Sequence, residues 1–302
     1  MPEVRTFGAG AERPRAVAVG CGGAGCNALR AISPDAGLDL LAVNDQPHPS
    51  LLPFRRRLLL DRAGLEQVAA MDERAVKTLA TTPEQAVAME LGDAEFVVPV
   101  AGLGGDMGSW GASLVARAAA LKGAVSLAVV TTPFSVEGSL RRAVAADALK
   151  LLRTHAHGVL ALSNDPLLRI AAHLPVAKAL DAMARIAVQP VRDLLRVLTR
   201  EDLPLLKSVL RGAGEWQLGI GEGAREHPEL AAVDAAFRSP WITKPPETAR
   251  EVILLVAEAE PNERIRNAIV RDVDLRTPRA SVAWGAFAEA GESVRATVLL
   301  GF

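Results

Sequence analysis

Gly20-Cys21-Gly22-Gly23-Ala24-Gly25-Cys26-Asn27 and, further on, Gly102-Leu103-Gly104-Gly105-Asp106-Met107-Gly108-Ser109-Trp110-Gly111 are the two stretches that decide the fold. Each follows an apolar, strand-like run, Ala16-Val17-Ala18-Val19 and Phe96-Val97-Val98-Pro99-Val100, and each leads into a helix-like segment. A glycine-rich turn between strand and helix presents backbone N–H groups and the positive end of a helix, which together hold phosphate. Two such turns in one α/β domain imply grips on two parts of one nucleotide, or the remains of that arrangement. The second turn carries an acid, Asp106, where a phosphate grip is expected to be neutral.

Outward from these loops the pattern alternates strand and helix. Residues 38–43 read as a strand ending at Asn44-Asp45, 83–91 as a helix, and 113–121 as an Ala-rich helix. Residues 125–130 read as a buried strand, 140–155 as a helix, and 159–162 as a short strand before Ser163-Asn164-Asp165. Buried strands alternating with helices imply a mostly parallel sheet covered on both faces, with ligands at the carboxyl ends of the strands. Residues 176–198 read as one long helix, with Pro190 as a potential kink. After a short helix to Arg211, strands are expected at 215–220, 251–257, 280–286 and 294–300, with one helix near 261–270. The fold class expected is α/β: a Rossmann-like parallel-sheet domain, a long central helix and a smaller α+β C-terminal domain. The divisions are a loose leader at 1–14, the Rossmann-like domain at 15–174, the central helix and its connecting loop at 175–214, and the α+β domain at 215–302.

Composition sets broad limits. A chain of 302 residues, half of them hydrophobic and 23% charged, is an ordinary globular protein. A net charge of -1 argues against a general binder of nucleic acid or acidic membrane. Cys21 and Cys26, the two cysteines, give no disulfide framework and fit a reducing compartment as small packing residues. The N-terminus lacks an apolar signal core, and no apolar run reaches the roughly 18 residues of a membrane helix, so a cytoplasmic location is expected. The five histidines, His48, His155, His157, His173 and His227, are scattered and read as surface or structural. No nucleophile–His pair and no metal cluster is apparent, so small-molecule catalysis has no support and no metal site is expected.

The order of motifs resembles the tubulin and FtsZ superfamily, FtsZ most of all, from about Arg15 to Phe302. The first glycine loop, ending in Asn27, is similar to that family's first nucleotide loop, and Ala42-Val43-Asn44-Asp45 to its second. Thr131-Thr132-Pro133-Phe134-Ser135-Val136-Glu137-Gly138, followed by Arg141, resembles the ribose-side loop, and Leu162-Ser163-Asn164-Asp165 the base-side loop. A dinucleotide-dependent oxidoreductase accounts for the first loop alone, and for neither the second loop nor the long helix. The resemblance implies a GTP-binding fold that stacks head to tail, the active site being completed by an acidic loop of the next subunit. The nucleotide-binding residues it implies, if binding is retained, are Gly22, Gly23, Gly25, Asn27, Asn44, Gly104, Gly105, Gly108, Ser109, Thr131, Pro133, Glu137, Arg141 and Asn164.

Departures from the family pattern set further expectations. Asp106 replaces a glycine beside the phosphates, where two unit charges about 4 Å apart repel by roughly 1 to 4 kcal/mol. Met107 removes a hydroxyl and Trp110 adds bulk. On the long helix, Arg185 stands by register at the guanine-reading acid and Leu180 at the base-stacking aromatic. The third phosphate loop is reduced to Asp61-Arg62-Ala63-Gly64. In the water-activating loop the matching positions are Arg200, Asp202 and Leu205, so Asp202 is the one candidate catalytic acid left and the other acid has become Leu205. The competing reading of Asp202 is a helix N-cap before Leu203-Pro204.

The function expected is a non-standard FtsZ/tubulin-like scaffold with degenerate GTP-binding and hydrolysis motifs. It would assemble head to tail with itself or modulate a conventional FtsZ-like relative. The alternative is a working, polymerising GTPase with unusual phosphate loops. GTP or GDP is expected to bind weakly or not at all, with Mg²⁺ only alongside nucleotide. Opposing faces would carry Arg200, Lys207 and Arg211 on one side and Asp45, Asp106 and Glu137 on the other. With the chain ending at Phe302, directly after its last strand, a membrane role is expected to need a surface other than the C-terminal tail used by FtsZ relatives.

Overall fold

The computed structural model describes residues 4–8, 10–32, 38–60, 83–224, 227–260 and 262–302. Asp61-Arg62-Ala63-Gly64 therefore lies outside the described residues. The chain divides into two compact units, Pro14–Val188 and a second made of the residues up to Arg13 with Gln189–Phe302.

In the Pro14–Val188 unit, strands β2 (Ala16–Cys21), β3 (Leu38–Asn44), β4 (Arg56–Leu59), β5 (Phe96–Gly102), β6 (Val125–Thr132) and β7 (Gly158–Ser163) form a sheet in the order β7-β6-β5-β2-β3-β4. Every pairing among them is parallel. All six residues of β2 are buried, as a strand covered on both faces requires. The connecting helices are α1 (Gly22–Leu29), α2 (Pro83–Leu91), α3 (Asp106–Leu121), α4 (Ser139–His155) and the short α5 (Leu167–Ile170). The core gathers Val17, Val19, Leu41, Val43 and Val97 from the strands with Leu114, Val115 and Leu152 from α3 and α4. Each such side chain, moved fully out of water, contributes about 1.5–3 kcal/mol. The long helix α6 (Val176–Val197) runs through Pro190 without interruption, and the division between units falls inside it, at 188/189, rather than at its ends.

In the second unit the strand order is β1-β10-β9-β11-β8, with β1 (Val4–Thr6), β8 (Trp216–Gly223), β9 (Glu251–Glu258), β10 (Ser281–Ala288) and β11 (Val294–Gly301). The β1–β10 and β10–β9 pairings are parallel, and β11 runs antiparallel to β9 and β8. The 1–14 segment, read from sequence as a loose leader, thus supplies an edge strand. Phe7 is buried beyond it, and the Trp284 indole N–H donates to Thr6 Oγ1 at 3.0 Å. Three residues are too few to show an apolar period, and tertiary pairing supplies what propensity does not.

Helices α7 (Leu203–Gly212), α8 (Pro228–Phe237) and α9 (Glu263–Arg276) complete this unit. No expectation covered α8. Its backbone lies directly on β8: a Cβ on Gly219, Gly221 or Gly223 would stand 2.2, 2.1 or 1.8 Å from the carbonyl oxygens of Ala236, Ala232 and Pro228. Alternate glycines on one face of a strand are the sequence signal for that close approach.

Candidate functional site

The carboxyl ends of β2, β3, β5 and β6, together with the loop after β7 and the first turns of α6, line a cavity of about 800 Å³. Its floor is made of the two glycine loops in contact. Gly22 has φ +69°, and a Cβ there would lie 3.1 Å from the Gly108 nitrogen. Gly25 and Gly108 are required for packing: a Cβ on either would come within 2.1 Å of the Val100 or Gly102 carbonyl oxygen of β5. These contacts bring the N-termini of α1 and α3 close to the sheet. Gly104, at φ +98°, turns the second loop, and its N–H donates to Ser109 Oγ at 3.0 Å.

Of the residues expected at a nucleotide site, Gly22, Gly23, Asn27, Asn44, Gly105, Gly108, Thr131, Pro133, Glu137, Arg141 and Asn164 line the cavity. Gly25, Gly104 and Ser109 do not; they shape the loops from behind, and Ser109 is fully buried. Among the departures, Asp106, Met107 and Leu180 line the cavity, while Trp110 does not. Asp106 is the exposed first residue of α3 and sits at the positive end of that helix. Met107 is 7% exposed and leans into the core, its Cε filling the space beside Gly111.

The register expected on the long helix requires correction. Arg185 is exposed and lines no part of the cavity; the helical stripe facing it is Val176, Leu180, Asp181, Met183, Ala184 and Ala187. The acid on this wall is Asp181, one turn earlier. The helical period fixes which residues share a face, but it does not fix which face meets the ligand.

The loop after β6 is closed by its own acid. Glu137 accepts the Phe134 N–H at 2.7 Å and pairs with Arg141. The Ser135 N–H donates to Asp165 Oδ1 at 2.7 Å, joining this loop to the one after β7. Beside it, Asn164 is 8% exposed and its Oδ1 is buried with no hydrogen-bond partner among the described residues. A buried acceptor left unpaired costs about 1–3 kcal/mol, so this one is suited to a donor carried by a ligand. At the opposite end His48, read from sequence as surface or structural, lines the cavity. Its Nδ1 accepts the Ser50 N–H at 3.1 Å and lies 2.7 Å from Ser50 Oγ.

Both cysteines are buried. Burial pushes the Cys26 thiol up to about 11 and Cys21 well above the usual thiol range, with neighbouring Cys26 adding to the latter. The Cys26 S–H donates to Gly20 O at 3.2 Å. Thiols held protonated in this way are poor nucleophiles and poor metal ligands.

Arg200, Asp202 and Leu205 belong to the second unit. Asp202 is 3% exposed, and its Oδ2 accepts the Thr199 N–H at 2.9 Å, the Thr199 hydroxyl at 2.7 Å and the Gly8 N–H at 2.8 Å. The N-cap expected of Asp202 before Leu203-Pro204 is therefore not made. The carboxylate reaches back to Thr199 in a capping box around the 3-10 turn Arg200–Asp202, and does not cap α7. An oxygen engaged by three donors and shielded from solvent is poorly placed to take a proton from water.

The model of the Tubulin/FtsZ family, GTPase domain, matches residues 57–172. The chain is 30% identical over 280 residues to cell division protein FtsZ 1 of Pyrococcus horikoshii, covering 88% of this chain and 74% of that protein. It is likewise 30% identical over 279 residues to FtsZ 1 of Halobacterium salinarum, covering 88% of this chain and 70% of the relative. Among solved structures it is similar to an empty FtsZ dimer from M. jannaschii, with TM-score 0.82, 25% identity and coverage of 96% of this chain and 88% of that one. The same fold recurs in a GTPγS-bound CetZ2 protofilament from Haloferax volcanii, with TM-score 0.73, 23% identity and coverage of 95% and 92%. With the cavity, its paired glycine loops and these relatives in agreement, the chain belongs to the tubulin/FtsZ family, as a divergent FtsZ-like member.

Proposed function

We propose that this protein is a cytoplasmic FtsZ-like scaffold of cell division that holds a guanine nucleotide weakly, turns it over slowly or not at all, and assembles head to tail. The observation that carries the reading is the state of Asp202. The one acid that the resemblance leaves for water activation is buried under three hydrogen bonds, and its partner position is Leu205. Removing a positioned acid–base group typically lowers a rate by about 10² to 10⁴.

Nucleotide occupancy is supported on one side and opposed on the other. Asp181 offers a carboxylate to the N1–H and amino group of a guanine, and Asn164 offers its unpaired Oδ1. The phosphates would meet the N-termini of α1 and α3, but also Asp106. When bound, nucleotide and Mg²⁺ would be held by these loops.

Head-to-tail assembly is supported by apolar side chains exposed on the segments that flank the cavity: Val136 and Leu140 at 78% each, Val176 at 65% and Leu168 at 50%. Such side chains are disfavoured on a free surface when clustered. The pairing partner is a second copy of this chain or an FtsZ-like relative. Arg200, Lys207 and Arg211 on the one face would oppose Asp45, Asp106 and Glu137 on the other.

Phosphate release from GTP at tens of micromolar protein, read beside sedimentation with and without nucleotide, tests this. The expected result is sedimenting polymer whose amount does not depend on GTP, with turnover far below one per minute. Charge reversal should block assembly in Asp106→Arg and in Arg200→Asp alone, and restore it in the pair. The second reading, a polymerising GTPase, is favoured by Asp181 and Asn164. It replaces the first if assembly requires GTP and turnover reaches about one per minute.

A further inference from the structure

We infer that Gly8 and the 10–13 segment form an intramolecular strap that masks the Thr199–Asp202 loop from a second copy of this chain, so that assembly requires the strap to lift. The inference rests on the head-to-tail reading proposed above, and it concerns what occupies the loop before a partner arrives.

Alternate residues of the segment meet the loop one after another, and segment and loop belong to the same unit of the chain. The Gly8 N–H donates to Asp202 Oδ2 at 2.8 Å. The Gly10 N–H donates to Thr199 Oγ1 at 3.2 Å, and the place a Cβ would take on Gly10 is 1.7 Å from Glu201 Oε2. The Glu12 carbonyl oxygen accepts the Arg200 N–H at 2.8 Å, and the Glu12 carboxylate stands 3.4 Å from Arg200 Nη1. All four loop residues therefore face positions 8, 10 and 12. A period of two is that of an extended chain presenting one face. The two glycines suit that face: Gly8 has φ +92°, in the left-handed region, and a side chain at Gly10 would displace the Glu201 carboxylate. Arg13 closes the far end, its Nη1 donating to the Leu195 carbonyl oxygen at 2.7 Å.

The strap satisfies the loop with the chemistry that a partner would offer. In the assembly proposed above, Arg200 meets a carboxylate of the next copy; within the single chain it meets the carboxylate of Glu12. A guanidinium already paired with one acid gains less from a second, so Glu12 competes with the incoming partner. The hold is light enough to be lost. The side chains of Arg200 and Glu12 are 47% and 73% exposed, and ion pairs at such exposure contribute little. Upstream, β1 is three residues long and stands last in its sheet, paired on one side alone. Phe7 is the only buried side chain among the described residues from 4 to 13. A segment with so little buried apolar area opens at a lower free energy than the whole domain.

The test is sedimentation of wild type and Glu12→Gln over a concentration series, with hydrogen exchange read by mass spectrometry on pellet and supernatant. Glu12→Gln keeps the backbone carbonyl and removes the competing charge. Its threshold concentration for polymer should therefore fall by about twofold to fivefold. In the pellet, peptides covering residues 8–13 should lose the protection that they have in the supernatant. An unchanged or higher threshold for Glu12→Gln, or a strap that stays protected in the pellet, overturns the inference while leaving the head-to-tail reading intact. If neither protein sediments across the series, the head-to-tail reading itself falls and the inference with it. Thermal melting of Glu12→Gln, matched to wild type, separates these outcomes from a misfolded variant.

Discussion

On its α6 side the cavity presents Asp181 and the Asn164 Oδ1, which is unpaired among the described residues; both are able to accept hydrogen bonds. On its α3 side it presents Asp106 at the positive end of a helix, the place where a phosphate would otherwise neutralise the dipole. The two sides stand on one parallel sheet, with the close glycine contacts on the α1 and α3 side, so the sheet itself does not separate them. Side-chain charge does. A helix N-terminus favours an anion by about 0.3–1 kcal/mol, and a resident carboxylate gains that stabilisation without a ligand. The same carboxylate repels an incoming polyphosphate. On the function proposed above, the cavity keeps its shape while one end alone loses its preference for phosphate.

The shared architecture is the part whose failure has the largest effect. Gly108→Ala places a Cβ 2.1 Å from the Gly102 carbonyl oxygen, whereas Gly105 has nothing within 4 Å of that position. We expect Gly108→Ala to cost about 3 kcal/mol or more in denaturant unfolding, and Gly105→Ala less than about 1. Equal costs for the two would show that the glycines serve the ligand and not the packing.

Next in size is Asp202→Ala, which strips a shared acceptor from Gly8, the Thr199 N–H and the Thr199 hydroxyl. Leaving buried donors unpaired should lower unfolding free energy by about 1–3 kcal/mol, with little change in whatever GTP turnover exists. Unchanged stability with abolished turnover would return this acid to catalysis.

The contrast between the two sides of the cavity is sharpened by Asp106→Gly. Removing one repulsive charge at surface-like dielectric should tighten GTP binding by about 1–2 kcal/mol, roughly tenfold, and change guanosine binding little. Equal gains for GTP and guanosine would mean that Asp106 shapes the loop and does not repel phosphate.

The smallest effect is on the other side. Asp181→Ala should lower the preference for GDP over ADP by about threefold to tenfold, as expected for unpaired base donors in a partly open site. Calorimetry with the two nucleotides reads it directly, and Arg185→Ala should leave that preference unchanged. The reverse pattern would restore Arg185 to the site.

Much of this was legible from the chain. Fully apolar runs such as Phe96–Gly102, each ending in a glycine turn, require a parallel sheet with ligands at the strand ends, and the order of motifs marks the family. The place of Asp106 was legible too: the turn read from sequence puts an acid at the start of the following helix, and Asp106 is the first residue of α3 on the cavity wall. The edge strand Val4–Thr6 and the helix Pro228–Phe237 were not legible: the first is too short to show a period, and the second hides its period because Ala stands off its buried stripe as well as on it and Glu229 is among the buried residues. Asp181, His48 and Asp202 mark the same boundary inside the site. Sequence fixes the identity of a side chain and the period of its element. Whether Asp181 or Arg185 meets the cavity depends on a helix rotation set by packing. Whether Asp202 faces water or Gly8 depends on a segment nearly two hundred residues away in the chain. That the exposed His48 also lines the cavity depends on a turn that places Ser50 behind its ring. Those are distances between groups remote in sequence or oriented by tertiary contacts, and only the folded structure decides them.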